Sequence, residues 1–338
     1  MSIKKVLYIG TPMYTYYKKI ISEFKAQGYE VDFYNDRPSE NSFIKGIIKI
    51  KKDMINFLIE KYFEDIINEI KDKEYNLVFV VDCKVFTAQM IRYMKSIQKK
   101  AKFVLHMWDS LELYPNSKEV INEFDMAYSF DLKDCEEVES LKFLPLFYCK
   151  EFENIGLAKQ HNCIYDIASV CTAHPNRYKT MKILFPKLES QGVNVYSYMY
   201  LNKLQYLYNR AFITEFKGAK RDEFKFMPLS EKENLDILRN TNTVFDMPHN
   251  KQSGLTMRTI ETLGAKRKLI TTNTDIKKYD FYNENNILII ENDNLDGITD
   301  FIKREYREIK EPIYRKYSIS SYVNTIIDDA NYKYLKVI

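Results

Sequence analysis

The sequence predicts an α/β protein made of two parallel-sheet domains in series. Short apolar runs recur along the chain, separated by stretches with apolar residues at helical spacing, the alternation of a βαβ chain. This pattern stops at a polar stretch, Glu151 to Asn162, and then starts again. The length, 338 residues, suits two domains of about 150 residues better than one core.

The first run, Lys4 to Gly10, reads KKVLYIG and ends in Gly-Thr-Pro, as a buried parallel strand does. A helical pattern covers Tyr14 to Gln27, with Gly28 as its stop, and Tyr29 to Asn35 is a second strand. Between Asn41 and Glu74 apolar residues recur at helical spacing, including Phe43, Ile47, Leu58, Phe63, Ile66 and Ile70. Packing against a sheet accounts for this amphipathicity; a helix lying on a membrane is the alternative. Further strands follow at Asn76–Asp82, Lys102–Asp109, Phe124–Phe130 and Leu141–Tyr148, with a helix near Thr87–Gln98. These elements define an N-terminal domain, residues 1–152.

After the polar linker, strands are expected at Tyr165–Cys171, Val193–Tyr200, Asn242–Met247, Lys268–Thr272 and Asn286–Ile290. Helices are expected at Met181–Ser190 and Glu231–Arg239. The second domain spans 163–300. A helical tail, 301–338, rich in Tyr, Lys and Arg and divided by Pro312, is expected to pack back toward the first domain.

Composition excludes several function classes. The balance of 51 basic and 47 acidic residues, net +4, is no nucleic-acid footprint, and no nucleic-acid partner is expected. It leaves room for phosphorylated ligands or peripheral association with an anionic membrane. No run of about 20 apolar residues is present, so no transmembrane helix is expected. The N-terminus runs directly into a strand without a cleavage region. Five scattered Cys without a CxxC fit neither a disulfide framework nor a structural zinc site. A cytoplasmic setting is expected, extending to the inner face of the cell membrane, with no metal and no cofactor. The phosphate-binding P-loop, the G-x-G-x-x-G fingerprint and the G-x-S-x-G elbow are all missing.

The segment with the most chemical grammar is Pro248 to Asn273. A strand ends, a polar Gly-containing loop follows, and a helix starts near Leu255 and stops before Gly264. Ligands of parallel sheets bind outside the carboxyl ends of strands, and a helix starting there offers unpaired N–H groups to an anion. Ser253, Gly254, Leu255 and Thr256 form the turn a phosphate would approach, and His249 and Lys251 flank it, as ligand contacts or as part of a turn. Gly254, Arg258 and Glu261 share one helical face. Arg258 supplies a donor fork for a diphosphate and Glu261 an acceptor for two hydroxyls; the alternative is an Arg–Glu surface pair.

The string SGLTMRTIETLGAKRKLITTN, Ser253 to Asn273, resembles the donor-binding half of two-domain glycosyltransferases of the GT-B fold. The resemblance is particularly to the bacterial CgeB-like, glycosyltransferase family 1-like group. The resemblance implies two Rossmann-like domains facing each other across a cleft. The C-terminal one would hold a nucleotide diphosphate-sugar, and the N-terminal one mostly the acceptor. In many relatives two glutamates lie eight positions apart. The later one binds the ribose and corresponds to Glu261; the earlier position is Ser253 here, which leaves the donor-sugar contact and the stereochemical outcome open. The resemblance also implies a basic residue after the first strand of the second domain, where Arg177 matches best and Lys182 is the reserve.

In the first domain Gly10 and Thr11 end strand one, on the acceptor side, and Asp82 and Asp109 end later strands, with His106 nearby. Strand-end carboxylates suit a base for an acceptor hydroxyl, while Asp109 before Ser110 also suits a turn cap. The expected activity is transfer of a sugar from a nucleotide diphosphate donor to a saccharide or lipid-linked acceptor, in lipopolysaccharide or capsule synthesis. A nucleotide-sugar epimerase on the same fold, or an inactive scaffold of a polysaccharide assembly complex, are the rivals.

Overall fold

A computed structural model describes residues 4–13, 15–39, 55–158, 163–248, 253–291 and 297–328. The chain divides into two units. One comprises the described parts of 1–146, 250–255 and 319–333, the other those of 147–249 and 256–318.

The first unit runs β1 (Lys4–Ile9), α1 (Tyr16–Ala26), β2 (Tyr29–Tyr34), α2 (Asn56–Ile70), β3 (Leu77–Val81), α3 (Ala88–Ile97), β4 (Lys102–Met107), β5 (Met126–Ser129), α4 (Leu132–Glu137) and β6 (Leu141–Phe143). Among the described residues, the strands pair in the order β2-β1-β3-β4-β5-β6, all parallel. β3 is buried along its whole length, because helices cover both sheet faces, and this is why LVFVV reads as an unbroken apolar run. Gly28 stops α1 with a φ of 86°, a value that glycine adopts without steric cost. α2 turns Ile59, Phe63, Ile66, Ile67 and Ile70 into the core, so from Asn56 onward the expected amphipathic stretch packs on the sheet. Residues 40–54 of that stretch lie outside the described residues.

The second unit contains α5 (Lys150–Leu157), β7 (Tyr165–Thr172), α6 (Pro175–Ser190), β8 (Val195–Tyr200), α7 (Lys203–Phe212), α8 (Glu231–Arg239), β9 (Thr241–Asp246), α9 (Met257–Gly264), β10 (Lys268–Thr271), β11 (Ile287–Ile289), α10 (Ile298–Lys303) and α11 (Glu311–Lys316). Its sheet order is β11-β10-β9-β7-β8, again parallel. Three helices were not expected from sequence: α4, α7 and α5. The last occupies most of the stretch read as a linker, with Phe152 and Ile155 turned inward.

The last described helix, α12 (Ile319–Asp328), belongs to the first unit, whereas α10 and α11 belong to the second. Its Tyr322 ring packs edge-on to Phe79 of β3, and Ser320 Oγ donates to Glu23 Oε1 of α1 at 2.7 Å. The expected return of the C-terminal segment to the first domain is therefore present. Much of the high tyrosine content is core: Tyr8, Tyr75, Tyr148, Tyr178, Tyr314, Tyr317 and Tyr322 are all buried. Several give their hydroxyl a partner, as with Tyr314 on the Gly264 carbonyl at 2.7 Å.

Candidate functional site

Both strand orders reverse direction once. In the first sheet the chain leaves β1 for β2 on one side and returns as β3 on the other. In the second, β7 has β8 on one side and β9 on the other. Such switch points open a crevice outside the strands' carboxyl ends. Each unit places a cluster of charged side chains there.

In the second unit, Pro175 starts α6 immediately after β7 and brings Arg177 to the switch point. Its Nε donates to the Met247 carbonyl at 2.6 Å and Nη1 reaches the Thr172 carbonyl at 3.4 Å. One guanidinium thus joins the ends of β7 and β9. Asp246, the last residue of β9, anchors the next helix. Its Oδ2 accepts from Thr256 Oγ1 at 2.6 Å and from Thr259 Oγ1 at 3.1 Å, while Thr256 Oγ1 caps the Thr259 N–H at 3.1 Å. Arg258, in the first turn of α9, donates to Asn234 Oδ1 of α8 at 3.0 Å and pairs with Glu261 Oε2 at 3.3 Å. Burial pushes the Cys171 thiol up, with Arg177 and Arg258 opposing and Asp246 reinforcing; all three charges are within electrostatic reach of the end of β7.

Several expected donor residues have other partners. The Arg258–Glu261 pair exists, but it is partly buried rather than on the surface: Glu261 presents almost no area to solvent and Arg258 is half-buried. Lys182 instead donates to Tyr178 Oη at 3.0 Å, with Glu223 Oε1 at 3.9 Å. Ser253, Gly254 and Leu255 group with the first unit. The Ser253 N–H donates to Asp131 Oδ2 at 2.9 Å, and its Oγ donates to Asp131 Oδ1. A Cβ on Gly254 would lie 2.6 Å from the Phe130 ring and 2.8 Å from its carbonyl oxygen. The close approach that requires glycine here is made by Phe130. Leu255 is buried in the core. His249 and Lys251 lie outside the described residues.

The first-unit cluster is denser. Asp82 and Cys83, just after β3, hold left-handed backbone at φ 66° and 51°, conformations that cost non-glycine residues about 1–3 kcal/mol and gather at functional sites. This turn sends Lys84 back over the strand ends. Its Nζ lies 2.9 Å from both Asp82 Oδ2 and Asp109 Oδ2, and 4.7 Å from the centre of the Tyr114 ring. Asp82 Oδ1 accepts the Trp108 N–H at 2.6 Å and the Asp109 N–H at 3.0 Å. After β1, Gly10 N–H donates to the Tyr34 carbonyl at 3.0 Å, and Thr11 Oγ1 donates to Asp36 Oδ1 at 3.0 Å. Arg37 Nη2 donates to Thr11 Oγ1 at 3.0 Å. Burial pushes the Asp36 carboxyl up, against the pull of Lys84 and Arg37. For Lys84, burial disfavours the charge, but Asp82, Asp109 and Asp36 prevail and hold the ammonium well above its usual range. Sequence reasoning named Asp82, Asp109, Gly10 and Thr11; it missed Asp36, Arg37 and Lys84.

His106 is not part of this cluster, which corrects its reading as a base. It is fully buried under α12, with Nδ1 2.7 Å from Tyr322 Oη and Nε2 2.9 Å from the Leu144 carbonyl. Trp108 Nε1–H donates to Nδ1 at 2.9 Å, so Nε2 carries the proton. Burial lowers its pKa to about 3, leaving a neutral, structural imidazole. Of the three expected catalytic groups, Asp109 alone keeps substantial exposure, 31 % of its side chain. Among the described residues no group of three or more His, Cys, Asp or Glu could hold a metal ion, and no helix is long and apolar enough to cross a membrane.

No family model matches the chain, and no curated protein matches it in sequence. Solved structures match its shape. An α-glucosyltransferase in complex with UDP and mismatched DNA aligns at 10 % identity over 96 % of both chains, with a TM-score of 0.59. The UDP-GlcNAc 2-epimerase of Neisseria meningitidis, bound to UDP-GlcNAc, aligns at 9 % identity over 96 % of this chain and 99 % of its own, with a TM-score of 0.53. HepE of Anabaena, in complex with UDP and glucose, aligns at 11 % identity over 96 % and 95 %, with a TM-score of 0.51. At this identity the likeness shows the fold: two parallel-sheet α/β domains of the GT-B type, shared by glycosyltransferases and epimerases.

Proposed function

We propose that the chain is a glycosyltransferase that takes a sugar from a nucleotide diphosphate donor to a saccharide or lipid-linked acceptor, in bacterial surface polysaccharide synthesis. The observation that carries this reading is the Arg177 clamp at the switch point of the second sheet. It fixes a guanidinium across the ends of β7 and β9, and Arg258 lies in the first turn of α9, the helix that follows β9. A diphosphate leaving group gains charge as the glycosidic bond breaks, and fixed N–H donors stabilise that charge without reorganising. UDP in several structural neighbours supports a nucleotide partner of this kind. The buried Glu261 braces Arg258 through Oε2, and its carboxylate is the group we assign to the ribose hydroxyls.

On the first unit, Asp109 is the carboxylate we assign to acceptor activation. Lys84 Nζ lies 2.9 Å from its Oδ2, and Asp82 fixes its backbone through the Asp109 N–H. It would take the hydroxyl proton in an inverting reaction. No resident cofactor enters this scheme. The narrower CgeB-like grouping rests on the Ser253–Asn273 string alone. The epimerase neighbours favour a second reading, nucleotide-sugar epimerisation at the same donor site.

A panel of nucleoside diphosphates and nucleotide sugars, screened by thermal shift, tests the donor site, since a ligand of the native state raises the melting temperature by mass action. Product analysis of the stabilising sugar nucleotide with and without oligosaccharide or lipid-linked acceptors separates transfer from epimerisation. Arg177→Gln should cut diphosphate affinity at least tenfold while leaving nucleoside affinity unchanged. Equal losses for both ligands, or no shift with any nucleotide, would refute the assignment.

A further inference from the structure

α7 presents an apolar stripe to solvent. A helix turns about 100° per residue, so Leu204, Leu207, Tyr208, Ala211 and Phe212 fall on one face. Leu204 is 80 % exposed, Leu207 61 %, Tyr208 58 % and Phe212 73 %, and the Tyr208 and Phe212 rings pack 5.2 Å apart within the stripe. The opposite face, with Tyr206 and Asn209, is the one buried in the second unit. Scattered single apolar residues on a surface need no explanation; a contiguous stripe running the length of a helix marks a docking surface.

Its charge surroundings identify the partner. Lys203 and Arg210 fall along one edge of the stripe. Between residues 203 and 227 the chain carries six cations against three carboxylates. Of the three, Glu223 is occupied by the Tyr178 hydroxyl at 2.6 Å. Lys217, Lys220, Arg221 and Lys225, in the connection that follows α7, are all exposed. An apolar face flanked by cations is the pattern of a helix lying in a membrane interface, where one boundary offers both acyl chains and anionic headgroups. A second copy docked on the stripe would instead bring like charges together.

We infer that α7 and the basic connection after it seat the protein on an anionic lipid surface, with Leu204, Leu207 and Phe212 entering the acyl boundary. The inference rests on exposure and charge and is independent of the sugar-nucleotide reading. α2, the helix for which the sequence suggested such a role, turns most of its apolar residues inward over its described length.

The test is co-sedimentation of the full chain with phosphatidylcholine vesicles with and without phosphatidylglycerol, alongside sedimentation velocity without lipid. Binding should require phosphatidylglycerol and weaken as salt rises. Leu207→Ser with Phe212→Ser should lower vesicle affinity at least tenfold with an unchanged melting temperature, since both positions are exposed. Lys203→Glu with Arg210→Glu should lower it severalfold and reduce its salt dependence. No binding to anionic vesicles, or binding that both variants retain, overturns the inference. A lipid-free dimer that the Ser variant abolishes also overturns it, because the stripe then belongs to a second copy.

Discussion

Protonating His106 in the folded protein would place a charge in a site that excludes water and already uses both ring nitrogens. Its pKa falls from 6.5 to about 3 on folding, chiefly through burial. Between these values the unfolded chain binds a proton that the folded chain refuses. Stability from this group is therefore fully present above pH 6.5 and is lost progressively as the pH falls toward 3. At roughly 1.36 kcal/mol per pH unit, the loss is about 3 kcal/mol by pH 4.5 and about 5 kcal/mol over the whole span. Carboxylates titrate in the same range, so the measurement is a difference against His106→Gln, which cannot titrate. Gln loses the acceptor for Trp108, a constant cost of about 1–3 kcal/mol. The single tryptophan, Trp108, donates to His106 and makes its fluorescence a direct probe of first-unit unfolding in urea. The stability difference between wild type and variant should move by about 3 kcal/mol in favour of the variant from pH 7 to 4.5, closing or reversing the pH 7 gap, and imidazole NMR should find Nε2–H neutral at pH 5. A gap independent of pH, or an imidazolium at pH 5, would show that the buried neutral tautomer is wrong.

Two further perturbations probe the strand ends. Lys84→Met leaves Asp82 and Asp109 without their shared cation beside Asp36, and breaking a buried ion pair from one side costs about 3–5 kcal/mol. Urea denaturation should show that loss at pH 7, with part of it recovered when Asp109→Asn is added; a change below about 1 kcal/mol would mean that water already screens the cluster. Gly254→Ala drives a methyl into the Phe130 ring and carbonyl, and overpacking of this kind costs about 1–3 kcal/mol. Unchanged unfolding midpoints would show that the loop yields freely and that Phe130 does not dictate the glycine.

The sequence by itself determined the alternation of elements. A parallel strand buried on both faces is apolar along most of its length, so LVFVV in β3 and FVL in β4 announce themselves without reference to the rest of the chain. Asp82 and Asp109 were legible for the same reason, as the polar groups that follow such runs, whereas Arg177 was singled out by the resemblance. That α7 exposes its apolar stripe was not legible, because periodicity reveals an apolar stripe but not whether the stripe faces inward. Gly254 was read as a turn a phosphate could approach, whereas the group that packs against it, Phe130, is far away in sequence and was not legible. Tertiary structure alone decided which charges meet. Asp36, Lys84 and Asp109 come together because β1 pairs on one side with β2 and on the other with β3, which in turn pairs with β4. It also decided that His106 is a core residue and not a base, since α12, more than two hundred residues further along the chain, closes over it. Local spacing fixes the faces of helices and strands, whereas the partner across each face depends on strand order, to which no local pattern is sensitive.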